Sequence, residues 1–161
     1  MAAVDYFLKI KGIEGESTDK THGKEIDILA WSWGASNAGS HASGGGGGAG
    51  KVSFQDFSFS MKVNKASPHL LLACADGDHI PEALLTCRKA GKTQQEYLKI
   101  TFNEIHITSF QTGGSAGDVV PVDSISINFG KMSYEYYPQK PDGSLDAKVP
   151  VHWSVKENVG G

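Results

Sequence analysis

Four times along this chain, apolar residues that alternate in steps of two change parity, which an ordinary flat strand cannot accommodate. Ile26 and Ile28 give way to Leu29, Trp31 and Trp33; Val52 and Phe54 to Phe57, Phe59, Met61 and Val63. Leu98, Ile100 and Phe102 give way to Ile105 and Ile107, and Ile125, Ile127 and Phe129 to Met132, Tyr134 and Tyr136 across Gly130. A slip of one residue flips every later side chain to the other face and sharpens the local twist. Strands that slip in this way bend from one sheet into another. Val4, Tyr6, Leu8 and Ile10 add a first strand, with Phe7 left on its wetter face. Ala83 to Lys89 and the final "VPVHWSVK" supply two more. The expectation is a mainly β fold, a closed or nearly closed antiparallel β-barrel of two bent sheets.

One short α-helix interrupts the strands in "KASPHLLLACADGD". Ser67 is a candidate cap, Pro68 suits the first helical position, and Gly77 can end the helix. Leu71, Leu72 and Ala75 are read as its apolar face. At 161 residues the chain fits a single domain, 1–161, with a Gly-rich loop at about 36–51 inside it.

That loop contains "GGGGGAGKVS", which partly matches the phosphate-cradling pattern of a P-loop through Gly45, Gly50 and Lys51. Val52 stands where a hydroxyl should reach Mg²⁺, and the segment "VSFQDFSFSMKV" that it opens reads as a strand. A P-loop has to open a helix, whose free N–H groups hold the phosphate. The tract is therefore read as a surface loop, and no nucleotide or other cofactor is expected.

A net charge of −3 gives no bulk attraction to nucleic acid or to an anionic membrane. No apolar stretch is long enough to span a bilayer, and "MAAVDYFLKIKG" lacks the basic start and apolar run of a signal peptide. Cys74 and Cys87 lie in apolar surroundings and are read as free buried thiols. The six histidines are scattered without metal-ligand spacing. Asp19 with His22, and "DGDH" at Asp76 to His79, are read as turn-stabilising groups. No Gly-x-Ser-x-Gly elbow is present, and catalytic residues are not expected. Trp31 and Trp33 are assigned to the barrel core in preference to a stacking platform for sugars or bases.

The segment "IEGESTDKTHGKEIDILAWSWG", from Ile13 to Gly34, resembles the start of the haemolysin-coregulated protein (Hcp) family of bacterial type VI secretion systems. "KASPHLLLACADGDHIPEALLTCRKAG", "EYLKITF", "TGGS" and "YYPQKPDG" continue the likeness in the family's order. The resemblance implies a non-enzymatic tube subunit whose hexameric rings stack into a hollow tube. It also implies partnership with a VgrG spike, a contractile sheath and baseplate proteins. Assembly in the bacterial cytoplasm, export without a signal peptide, and small effectors held in the ring lumen are implied as well. With "VKENVGG" directly after the last strand, no fused toxin domain is expected. The family pattern places Ser32 toward the lumen, and a serine between two inward tryptophans must point outward. Gly39, Gly44, Gly45, Gly46, Gly47, Gly48, Gly50 and Lys51 are assigned to a ring-stacking loop. A monomeric ligand-binding barrel is the alternative, and its signature would be an interior cavity.

Overall fold

The computed structural model describes residues 4–38, 51–91 and 93–161. Its elements, in chain order, are β1 (Val4–Ile10), β2 (Ile26–Asp27), β3 (Ala30–Ser32), β4 (Ala35–Asn37), β5 (Val52–Phe54), β6 (Phe57–Lys62), α1 (Ala66–Asp76), β7 (Ile80–Lys89), β8 (Gln95–Gly113), β9 (Val122–Asn128), β10 (Lys131–Tyr136), β11 (Val149–Ser154) and β12 (Val159–Gly160). The larger sheet runs β12-β11-β10-β8-β7-β1-β2, the smaller runs β3-β6-β9-β8, and β4 pairs with β5 alone. All pairings are antiparallel.

Every parity slip lies where the chain changes partners. The first part of β8 pairs with β7 and β10, and its last part with β9, so one long strand belongs to both sheets. It bends at Glu104, whose φ of 53° is left-handed. The cost of that conformation, about 1 kcal/mol, is offset by the N–H of Gly130, which donates to the carbonyls of Asn103 and Glu104 at 3.0 and 3.2 Å. A second irregularity, between Ile107 and Ser109, sets Phe110 opposite Ile125 and turns it toward the core.

The other corner is at Ile28 and Leu29. The Ile28 N–H donates to the Tyr6 carbonyl at 3.0 Å in the larger sheet, and the Leu29 N–H donates to Ser60 at 2.9 Å in the smaller. The ladder is interrupted between these two bonds, so the barrel is nearly closed. Leu29, read from sequence as inward, is exposed at this crossing; Val63 and Tyr136, at strand ends, are exposed as well.

The helix starts one residue before the predicted cap, at Ala66, and Ser67 lies within its first turn. Asn64 closes the start instead: its side-chain carbonyl accepts the Ala66 N–H at 2.8 Å, and its own N–H donates to Ser67 Oγ at 3.0 Å. Ser67 Oγ donates in turn to Asp123 Oδ2 at 2.6 Å, tying α1 to β9. Gly77, at φ 70°, ends the helix with its N–H on the Ala73 carbonyl, as predicted. The apolar face is not the predicted one. Ala66, Leu70 and Ala73 are buried, whereas Leu71 is 52% and Leu72 60% exposed, and Ala75 is exposed too.

One contiguous core fills the barrel, with Leu8, Phe57, Leu85, Ile100, Phe102 and Ile127 wholly buried. Trp33 packs among Phe54, Phe102, Phe129 and Tyr134, and Trp31 against Tyr6 and Phe57, so both pack inward against the core as read, each half-buried. Cys74 and Cys87 are free thiols, but only Cys87 is buried, Cys74 being half-buried; burial pushes the Cys87 thiol up to about 12, which leaves it unreactive.

Candidate functional site: the outer faces of the two sheets

The smaller sheet turns Trp31, Phe57, Phe59, Ile125 and Ile127 inward, so the alternate residues face out. Those residues are nearly all serines. Ser32 opposes Ser58, Ser58 opposes Ser126, Ser60 opposes Ser124, and Ser109 and Gln111 extend the row on β8. The Ser58 and Ser126 hydroxyls are 3.0 Å apart, within hydrogen-bond distance. Together these side chains line an open depression of about 400 Å³ that contains no charged residue. Each hydroxyl can donate one hydrogen bond and accept two, so the face is dense in adaptable polar groups without a net field. Ser32 is exposed there, pointing away from the core as the strand pattern required.

Its neighbours carry a signal of their own in the sequence: "FSFS" and "SISI" alternate serine with an apolar residue on two strands that pair. Serine is a poor strand former. The inward Phe and Ile residues hold these strands, leaving the outward positions free of any packing demand.

The outer face of the larger sheet is covered over β1 and β7. Residues 11–25 fold back over β1 and β7, and Phe7, expected on a wet face, is 4% exposed beneath them. The His22 ring stacks on Phe7 at 4.5 Å, and the Arg88 guanidinium lies 4.8 Å from the Phe7 ring centre. Arg88 donates to both oxygens of Asp19 at 3.0 and 2.7 Å and to Asp5 at 3.0 Å. The Arg88 hydrogen bonds hold the Asp19 carboxyl far below the usual carboxylate range, and Asp19 in turn raises Arg88 further. Asp19 Oδ1 also accepts the N–H groups of Thr21 and His22, so the turn reading of this pair holds. Asp76 likewise accepts the Asp78 N–H at 3.0 Å.

His22 is buried, with Nδ1 2.7 Å from Glu25 and Nε2 2.6 Å from Glu96 on β8. Burial acts to raise the Glu96 carboxyl, but the hydrogen bond from His22 and the nearby Lys99 outweigh it and hold it low. Gly15 is required because a Cβ there would stand 2.5 Å from the Glu25 carbonyl oxygen. The residues of "GESTDKTH" thus build a cover held by ionic contacts. Among the described residues no group of three His, Cys, Asp or Glu is placed to hold a metal ion.

Lys51 is exposed at the start of β5, and Asn37 pairs with Val52, so the Gly-rich tract joins the two strands of a β-hairpin. Ser36 and Asn37 therefore belong to β4 and not to the loop assigned from residue 36. Gly39, Gly44, Gly45, Gly46, Gly47, Gly48 and Gly50 lie outside the described residues.

Residues 7–136 of the chain match the family model described as type VI secretion system effector, Hcp. The chain belongs to the Hcp family of type VI secretion proteins. It is 50% identical to protein hcp1 of Pseudomonas aeruginosa over 159 residues, 98% of each chain. Among solved structures it superimposes on a type six secretion system protein with a TM-score of 0.92 at 28% identity, covering 99% of this chain and all of the other. Hcp1 from Salmonella typhimurium superimposes with a TM-score of 0.80 and 32% identity over 99% of this chain and 100% of that one. No helix among the described residues is long and apolar enough to cross a membrane.

Proposed function

We propose that this protein is a non-enzymatic tube subunit: six copies close into a ring, rings stack, and small effectors ride on the serine face within the lumen. The observation that carries the reading is an apolar face left uncovered. On the larger sheet Tyr136 opposes Leu98 and Val149 opposes Tyr136, so the face that covers the core continues beyond it onto β11. There Tyr136, Val149 and Val151 are 45%, 58% and 48% exposed. An apolar strip continuous with a core calls for a neighbouring subunit, and a heterologous contact of that kind closes into a ring when its rotation divides the full turn.

Membership of a type VI secretion family supports export through that system, with spike, sheath and baseplate proteins as partners. The hairpin of β4 and β5, with the tract at its tip, is proposed to reach the next ring. The barrel interior is filled by side chains, which argues against the monomeric ligand-binding alternative. Light scattering on a size-exclusion peak tests the ring: six subunits of 17.2 kDa weigh about 103 kDa. A monodisperse peak at that mass is expected, and a 17.2 kDa peak at micromolar concentration would overturn the reading.

A further inference from the structure

Two histidines stand together at the bend of β8, His106 on the outward side of that strand, between the buried Ile105 and Ile107, and His79 just before β7. Ile80 opposes Ile105 and Glu82 opposes Asn103, a register that places His79, just before β7, across from His106. Their ring centres are 5.8 Å apart, with the rings inclined at 61°. Both line a groove of about 460 Å³ bounded by Pro81, Glu104, Phe129 and Lys156. Neither histidine ring has a hydrogen bond to a described residue.

We propose that His79 and His106 chelate a divalent first-row transition-metal ion. An imidazole nitrogen binds such an ion at about 2.0–2.1 Å, which puts two ring centres on one tetrahedral ion roughly 5 Å apart. The observed separation is close to that, and rotation of the exposed His79 side chain closes the difference. Imidazole suits Cu²⁺, Ni²⁺ and Zn²⁺, whereas Mg²⁺ and Ca²⁺ prefer oxygen ligands. No third His, Cys, Asp or Glu among the described residues completes the set, so water fills the remaining positions. Glu104 supplies a negative charge to the groove and Lys156 an opposing positive one. Neither forms an ion pair with a described residue.

The ion would clamp the residue just before β7 to the segment of β8 that passes between sheets. Cu²⁺ is the most sensitive probe, because it binds nitrogen sites most tightly among these ions. The tag-free full chain, in a non-coordinating buffer, should take up one Cu²⁺ saturably, with an electron paramagnetic resonance spectrum showing two imidazole nitrogens. H79A should weaken that uptake on the order of tenfold or more and remove the two-nitrogen signal. H106A should do the same, and H69A, in the adjoining groove, should change neither. H79A lies at an exposed position and carries the test even if H106A fails to fold. Absence of saturable binding up to about 1 mM Cu²⁺, an affinity worth only about 4 kcal/mol, would overturn the proposal. So would a two-nitrogen site that survives H79A.

Discussion

The outer faces of the two sheets solve opposite problems. The smaller sheet leaves Ser32, Ser58, Ser60, Ser124 and Ser126 bare, whereas the larger sheet buries Phe7, Thr86 and Arg88 under residues 11–25. A face of small hydroxyls tolerates water and needs no cover. A face that carries a phenylalanine and a guanidinium needs both a lid and counter-charges: Asp5 and Asp19 pair with the guanidinium, and Glu25 and Glu96 hold the His22 ring that stacks on Phe7. One face is therefore available for binding, and the other is a structural element in its own right.

The largest test of this contrast is to remove the cation from the covered face. R88M leaves Asp5 and Asp19 without their partner and should cost about 2–3 kcal/mol, read as a fall in the denaturation midpoint. A change of the same size from S58A would erase the distinction between the faces.

Acid sharpens the same point. A carboxyl held low in the folded state contributes stability above its unfolded value, near 3.9, and loses it as the pH falls toward the folded value. The wild type should therefore keep its advantage over D19N down to about pH 4 and lose it only in stronger acid. An advantage that vanished between pH 7 and 5 would contradict the Arg88 pairing.

Asp27, at the edge of the cover, has the opposite sign. Burial, then the charges of Asp5 and Asp19, raise its carboxyl, so ionising it on the way to neutral pH costs stability. D27N should be slightly more stable than wild type at pH 7 and equal to it in acid where both are neutral. Urea midpoints at pH 7 and pH 3 measure this, and a destabilised D27N at pH 7 would refute it.

The smallest expected effect on folding is on the bare face. S58A and S126A should each shift stability by no more than about 0.5 kcal/mol, while weakening cargo retention by an intact ring.

Legibility in the sequence divides along the same line. The parity slips mark the corners because burial on two sheets writes itself into local alternation, and Ser32 faces out for the same reason. Gly77 announces the helix end through its own backbone. Ser67 misleads because its hydroxyl is claimed by Asp123, 56 residues away in the chain. Leu71 and Leu72 look like core and lie outside it. Arg88 and Phe7 read as ordinary strand residues until the loop from Gly12 to Glu25 is folded over them. The serine face is assembled from β3, β6, β8 and β9; "FSFS" and "SISI" each carry part of it, but only the pairing of β6 with β9 shows that their serines share one face.

The central claim is that the bare serine face receives cargo inside a closed ring. The most direct measurement is to replace Ser32 and Ser58 by glutamine, S32Q and S58Q, and to read ring mass and bound effector on the same sample by light scattering and mass spectrometry. The account predicts an unchanged mass of about 103 kDa, six times the 17.2 kDa chain, with effector lost. A ring of that mass that still holds its effector would contradict it.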